Sequence, residues 1–415
     1  MPISHTIMLL AVMLILALML RPASQRLRLP FAAVLVLIGF LGSELLLSFG
    51  MDTGVRYDSF HDLIFYAFLP LLVFEAAFRI DGLLLRRNLF VILMLSMPVL
   101  LLSITIAAVL TYLGIGHPEG FPWIAAFLTG AVLAATDASP ITTLFPRLAA
   151  PRRLRILMEG EDLFNDATAI VAFGIFLYIA THPSEDISFG DAALSFLLVF
   201  FGGIFVGLLV GLCFLLLSRL FEDSIQQALI SLISAYTAFL LANEILEVSG
   251  VMSVLVTGLI MGRVIHNDSQ DERGSFVDTF WGFNVYVAEA LVFLLMGVTV
   301  SLAMFQERWL AMLIGIVAIL IARAVAVFGS VSLINHLPWV DPVPMGFQKI
   351  LFLGSLRGAV VLALCLSLPP DLPYWWTIQS IAFGVVIFSL FVQAPLVETS
   401  LRRNGLTSGS EAGPP

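Results

Sequence analysis

Charge is scarce in this chain. Asp, Glu, Lys and Arg make up 12% of its 415 residues, and Lys349 is its single lysine. A soluble fold carries roughly 25% charged residues, so a water-soluble enzyme or scaffold is excluded. Cysteine is nearly missing: Cys213 and Cys365 stand singly in apolar runs, which leaves no disulfide framework and no thiolate metal spacing. The histidines (His5, His61, His117, His182, His266 and His336) fall near segment ends or in loops. That placement argues against a buried Ser-His or metal-His centre, so no enzyme activity, resident metal or cofactor is expected. The basic residues are dispersed, with no patch for nucleic acid.

What is present is apolar: 60% of residues are hydrophobic, 34 of them Phe, as suits a lipid-facing surface. Runs long enough to span about 30 Å of hydrocarbon occur at roughly 4–20, 30–49, 60–80, 88–114, 122–146, 155–181, 190–219, 224–246, 250–265, 277–303, 308–334, 346–368 and 373–400. The expectation is an all-α integral membrane protein of about thirteen transmembrane helices. The first run meets Arg21-Pro22 rather than a small-residue cleavage site, and is read as a retained helix, not a signal peptide.

Arginine placement orients these spans. Arg21, Arg26, Arg28, Arg86, Arg87, Arg147, Arg152, Arg153, Arg155, Arg219, Arg263, Arg273, Arg402 and Arg403 fall on one side, with Lys349 near it; Arg56 and Arg308 fall on the other. The positive-inside rule then places the N-terminus outside and the C-terminus in the cytoplasm. One transmembrane domain over 1–405 is expected, with inverted repeats of six helices at roughly 1–181 and 224–400 and a linking helix at 190–219. The Gly/Ser/Pro-rich end, 406–415, reads as a short disordered tail with no regulatory domain. The repeats are suggested by charge: Glu75 in segment three stands against Glu289 in segment ten, and Asp137 in segment five against Arg357 in segment twelve.

One stretch dominates: Glu159-Gly-Glu-Asp-Leu-Phe-Asn-Asp-Ala-Thr-Ala169, opening an apolar run. On a helix, Glu159, Asp162 and Asp166 share a stripe, with Glu161 and Asn165 to one side. A carboxylate within a membrane helix costs about 2.5–3.5 kcal/mol on insertion scales, so several together point to a cation or proton path. The alternative is that Glu159 to Asp162 lie at the interface and only Asp166 is immersed. Segment five holds Thr136-Asp137-Ala138-Ser139-Pro140-Ile141-Thr142-Thr143, where Pro140 would free the Thr136 carbonyl as a cation ligand. An ordinary proline kink is the competing reading. Asp137 lies about nine residues from its segment's cytoplasmic end and Asp166 about eleven. At about 1.5 Å per residue both sit roughly 13–17 Å deep. Segment twelve holds Gly354-Ser355-Leu356-Arg357-Gly358-Ala359. Arg357 is expected to pair with Glu161, and Arg323 with Glu75 or Glu289. Six immersed carboxylates (Glu75, Asp137, Glu161, Asp162, Asp166, Glu289) exceed the immersed arginines, and the surplus must hold protons or metal ions.

These residues resemble the monovalent cation:proton antiporters of the NhaP/NHE type. The similar motifs are Ala135-Thr136-Asp137, Glu159-Gly160-Glu161-x-Leu163-x-Asn165-Asp166-Ala167, Gly354-x-Leu356-Arg357-Gly358-Ala359-Val360 and, more weakly, Thr279-Phe280-Trp281 with Leu291 to Gly297. The resemblance implies the NhaA-like fold, with broken helices crossing near the membrane midplane, a core domain rocking against a dimerisation domain, and a homodimer. It implies Asp166 as the ion- and proton-carrying carboxylate, completed by Asp137 and the Thr136 carbonyl. Asn165, Glu161 and Arg357 would be structural, and Glu75 would lie near the site. The pair Asn165-Asp166 goes with electroneutral exchange in that family. Three departures stand out: Asp162 replaces a usual Ser ligand, Pro140 is displaced from directly after Asp137, and Glu289 stands where Asn is common. The expected activity is exchange of Na+, or Li+, for H+ in the plasma (inner) membrane, serving pH and sodium homeostasis. K+/H+ exchange is the alternative; a passive channel or an intramembrane hydrolase are more distant ones.

Overall fold

The computed structural model describes residues 3–27, 29–49, 62–115, 121–142, 145–183, 188–221, 223–267 and 272–407. Arg28, Arg56, His61, His117, Thr143 and residues 408–415 of the expected tail lie outside them, as do the side chains of His5, Arg147, His266 and Arg273. The described residues form helices and no strand. They run as α1 (Ile3–Leu27), α2 (Phe31–Ser48), a π-helical turn (Leu63–Phe68) continuing into α3 (Leu69–Arg79), α4 (Gly82–Ser96) and α5 (Pro98–Gly114). Next come α6 (Trp123–Ala134), the short α7 (Ser139–Thr142) and α8 (Phe145–Leu148), then α9 (Arg152–Thr181) and α10 (Phe189–Ser218). The remainder is α11 (Ser224–Leu240), α12 (Gly250–Asn267), α13 (Glu272–Thr299), α14 (Leu302–Ala324), α15 (Ser330–Ile334), α16 (Met345–Leu353), α17 (Ala359–Leu366), α18 (Trp375–Phe388) and α19 (Ala394–Arg403).

Each of the thirteen apolar runs meets helix, and local chemistry sets several starts. The Asp81 side chain accepts from the amides of Leu83 and Leu84 at the head of α4. Ser188 and Asp191 form a reciprocal capping box on α10, and Asp223 caps α11. These side chains satisfy amides that a helix start leaves without carbonyl partners. The fourth run begins earlier than hydropathy suggests. Gly82–Gly114 is one apolar stretch, bent where Pro98 ends the α4 ladder at Met97.

Among the described residues eight stretches are long and apolar enough to cross a membrane, and Phe31–Leu46, Trp123–Ala134 and Gly250–Arg263 are shorter apolar helices. The short Trp123–Ala134 belongs to a span that is deliberately interrupted. α6 stops where Ala135 turns extended, at ψ 134°, and helix resumes only at Ser139. In the same way α16 ends at Leu353 and α17 begins at Ala359. The two interruptions meet: the Asp137 amide donates to the Leu356 carbonyl at 2.9 Å in an antiparallel bridge. Broken helices that cross one another are therefore present, as the resemblance implied.

Packing falls into two groups joined at α9. In one, α4 and α6 pack on α9, α5 packs on α6, and α14 packs on α5 and α18. In the other, α10 and α3 pack on α12, and α2 packs on α13. Small residues allow the tightest contacts; a Cβ on Gly297 of α13 would overlap the Val36 carbonyl of α2.

Candidate functional site

The crossing leaves four helix ends inside the protein, each with backbone groups that lack helical partners. Arg357 takes the carbonyl side. Its Nε donates to the Leu133 carbonyl of α6 at 2.6 Å, and its Nη1 to the Ser355 carbonyl at 2.5 Å and the Leu356 carbonyl at 3.2 Å. Its own amide donates to Ser389 Oγ at 3.2 Å. Asp137 takes the amide side: Oδ1 accepts from the Ser139 amide at 3.0 Å, and the Ala359 amide also bonds its carboxylate. Gly358 is obligatory here, because a Cβ would overlap the Asp137 carboxylate.

These contacts correct two expected pairings. Glu161 is bridged not to Arg357 but to Arg323, Oε1 to Nη1 at 2.5 Å, and Arg323 also donates to the Leu351 carbonyl at 3.2 Å. The reason is that the broken spans expose more unpaired carbonyls than sequence alone reveals, and they absorb the Arg357 guanidinium. Arg323 therefore pairs with neither Glu75 nor Glu289. Glu75 binds Arg79 at 2.9 Å, one turn along its own helix. The break itself also differs from the expectation. It opens at Ala135, ahead of any effect of Pro140, which sits in the first turn of α7, where a missing amide proton costs nothing.

The acidic stripe lies on α9. Glu159 pairs with Arg155 at 2.7 Å near the helix start. Deeper in, Asp162 Oδ1 accepts from Thr136 Oγ1 at 3.0 Å, and the Ala138 amide bonds the same carboxylate. Asn165 Nδ2 donates to Thr136 Oγ1 at 2.8 Å and to the Ala134 carbonyl at 3.2 Å. The Thr136 hydroxyl, rather than its carbonyl, thus ties the break to the stripe. Asp166 lies within electrostatic reach of Asp162 and Asp137. Asp166 Oδ1 and Asn165 Oδ1 are buried and have no hydrogen-bond partner among the described residues. Glu289 has no hydrogen bond or ion pair among the described residues and lies within electrostatic reach of Asp137 and Glu75.

The charges then sort themselves. Arg323 offsets Glu161, Arg79 offsets Glu75, Arg155 offsets Glu159, and Arg357 with Asp137 serves the crossing. Among the described residues, Asp162, Asp166 and Glu289 have no ion-pair partner of their own. Sequence reasoning singled out these carboxylates but missed the Leu133 carbonyl, the Ala138 amide and Ser389. Only Ser389 carried a signal, as a lone hydroxyl in the apolar run Val385-Val386-Ile387-Phe388-Ser389-Leu390-Phe391.

One cavity lies beyond the stripe and a second lies against it. One, of about 720 Å³, runs along the second half of α9 from Ile170 to Ile179, with Phe65, Ser195 and Glu247 among its other walls; Ile170 is one turn beyond Asp166. The other is small and lies among Thr136, Glu161, Asp162 and Ser355. Buried oxygens without donors, next to uncompensated carboxylates, form a place where a proton or a metal cation is stabilised and an anion is not.

Residues 10–403 match the transmembrane sodium/hydrogen exchanger family. Among curated relatives, the Na+/H+ antiporter ApNhaP of Aphanothece halophytica is 35% identical over 350 residues, 83% of this chain and 65% of that protein. The low-affinity Na+/H+ antiporter NhaS1 of Synechocystis is 35% identical over 338 residues, 80% of this chain and 63% of that protein. The matches thus span slightly less than two thirds of each relative's length. The structure of the sodium proton antiporter MjNhaP1 from Methanocaldococcus jannaschii superposes with a TM-score of 0.78 at 20% identity, covering 95% of this chain and all of that one. That likeness concerns the fold.

Proposed function

Because this chain belongs to the sodium/hydrogen exchanger family, we propose that it exchanges Na+ for H+ across a membrane by alternating access. It would act as a transporter, not an enzyme, with no cofactor beyond the ions it carries. The observation that carries this reading is the Asp166 carboxylate, one oxygen of which is buried and unpartnered among the described residues, with Asp162 and Asp137 in electrostatic reach. Asp166 holds a proton or a cation in turn, so the two compete for one place. Asp162 and Thr136 supply further oxygens, and Asp137 completes the site from the crossing. Asn165 fixes the Thr136 hydroxyl, while Glu161, Arg323 and Arg357 hold the surrounding helices in register. Glu75 and Glu289 stand near the site, with Glu289 within electrostatic reach of Asp137 and Glu75.

Exchange is obligatory if the protein changes its facing only when the site is neutralised by one or other ion. The two helix groups that meet at α9 are the bodies that would move, with halves 1–181 and 224–400 as the inverted repeats and 190–219 linking them. The Asn165-Asp166 pair supports one-for-one, electroneutral exchange. Arginine placement supports an external N-terminus and a cytoplasmic C-terminus in a plasma (inner) membrane. A homodimer is the expected assembly. Proteoliposomes bearing Na+, Li+ or K+ gradients test the reading: Na+ and Li+ should drive counter-movement of protons. Proton movement with K+ alone would favour the K+/H+ alternative, and Na+ flux without proton movement would favour a channel.

A further inference from the structure

The charge a binding site prefers follows from the carboxylates that nothing else neutralises. Around the α9 stripe Arg323 is paired with Glu161 and Arg79 with Glu75, while Arg357, hydrogen-bonded to the neutral carbonyls of Leu133, Ser355 and Leu356, keeps its charge within electrostatic reach of Glu161 and Asp162. Asp162 and Asp166, which together with Asp137 outnumber that one charge, have no ion-pair partner among the described residues. They are four residues apart on one helix, which sets their Cβ atoms about 5–6 Å apart and lets both carboxylates reach one ion. One Na+ balances a single carboxylate and leaves the other bare.

A second, independent feature points to a ligand. Asn165 is 1% exposed, and its Oδ1 has no partner while its Nδ2 is fixed by Thr136 and Ala134. Asp166 Oδ1 is likewise unpartnered. Thr136 Oγ1 joins this amide to Asp162, donating to Oδ1 at 3.0 Å, and Asp166 lies within electrostatic reach of Asp162, so the carboxylates of Asp162 and Asp166 and the Asn165 amide share one neighbourhood. All are hard oxygen donors, with no thiolate or imidazole among them, which selects against Zn2+ and Cu2+.

Resting on the exchanger reading of this site, we propose that it also binds a hard divalent cation, Ca2+, in competition with Na+, with Asp162 as the residue that confers this. Among the described residues no three acidic or metal-ligating side chains are close enough to hold a metal by themselves. The ion would therefore take two carboxylates and fill its shell with neutral oxygens and water. With few charged ligands such a site is weak, on the order of 10⁻⁴–10⁻³ M, the range of extracellular Ca2+ modules. Ca2+ tolerates irregular geometry set by helix positions, whereas Mg2+ demands a near-ideal octahedron.

The test is equilibrium dialysis of radiolabelled Ca2+ against the purified full chain, with Na+ as competitor, alongside Na+/H+ exchange in proteoliposomes. The expected result is saturable Ca2+ binding that Na+ displaces, and inhibition of Na+-driven proton movement by Ca2+. Asp162→Asn should weaken Ca2+ binding at least tenfold more than it weakens Na+ affinity, and Asp162→Glu, which keeps the charge, should retain Ca2+ binding. A wild-type protein that exchanges Na+ for H+ but binds no Ca2+ at about 10 mM overturns the proposal and leaves the exchanger reading intact. Bound Ca2+ that Na+ does not displace overturns it too, as does an equal loss of both ions in Asp162→Asn. Should the wild type exchange no Na+, the exchanger reading falls first, and the competition proposed here falls with it.

Discussion

Glu161 and Arg323 meet at 2.5 Å inside the helix bundle, joining α9 to α14. A buried ion pair contributes little over an apolar replacement, yet removing one partner leaves an uncompensated charge at a cost of about 3–5 kcal/mol. Arg323→Ala and Glu161→Ala should each destabilise the protein by that order, read as a large fall in melting temperature in detergent. The double change to leucine should recover most of the loss. If Glu161→Ala proved coupled to Arg357 in a double-mutant cycle and not to Arg323, the pairing described above would be wrong.

Gly358 lies so close to the Asp137 carboxylate that a Cβ cannot be accommodated without moving the crossing. Gly358→Ala should therefore depress transport strongly, while Gly174→Ala, where the added atom meets open space, should be near neutral. Equal transport by both variants, assayed at matched reconstitution, would remove the crossing from the account.

The helices that meet the thirteen apolar runs and the acidic stripe were legible in sequence, because apolar run length and helical spacing are local properties. The meeting of the two breaks was legible only as a pairing of charges, Asp137 with Arg357. Which arginine served Glu161 was not legible. That choice depends on how many backbone carbonyls the breaks leave unpaired around Arg357, and Leu133 and Ser355 carry no mark of it. The break itself was mislocated for a similar reason. Pro140 signals that a helix ends nearby, but the non-helical residues Ala135 to Ala138 precede it, fixed by the bridge to Leu356.

Competition at one carboxylate fixes the direction of the pH response. Protons occupy Asp166 at the expense of Na+, so the Na+ concentration giving half-maximal rate should rise as pH falls. In the proton-saturated limit of one-for-one exchange it should rise about tenfold per pH unit. Measuring the half-saturating Na+ across pH 6–9 in vesicles checks this, and a pH-independent value would contradict a shared site.

Charge balance gives a separate test. One-for-one exchange moves no net charge, so clamping the membrane potential with valinomycin and K+ should leave the Na+-driven rate unchanged. A rate that follows the imposed potential would show that an additional proton travels in each cycle, and Asp162 and Glu289 would be the residues to examine for it.

Cation-dependent proton movement by Asp166→Asn, in proteoliposomes holding verified monodisperse protein, is the most direct measurement. The substitution keeps the side chain's size and removes the one charge that a proton and a cation are held to share. Abolished exchange, in a protein that melts within a few degrees of the wild type, is the predicted result. Exchange at wild-type rate would contradict the assignment of Asp166 as the shared site.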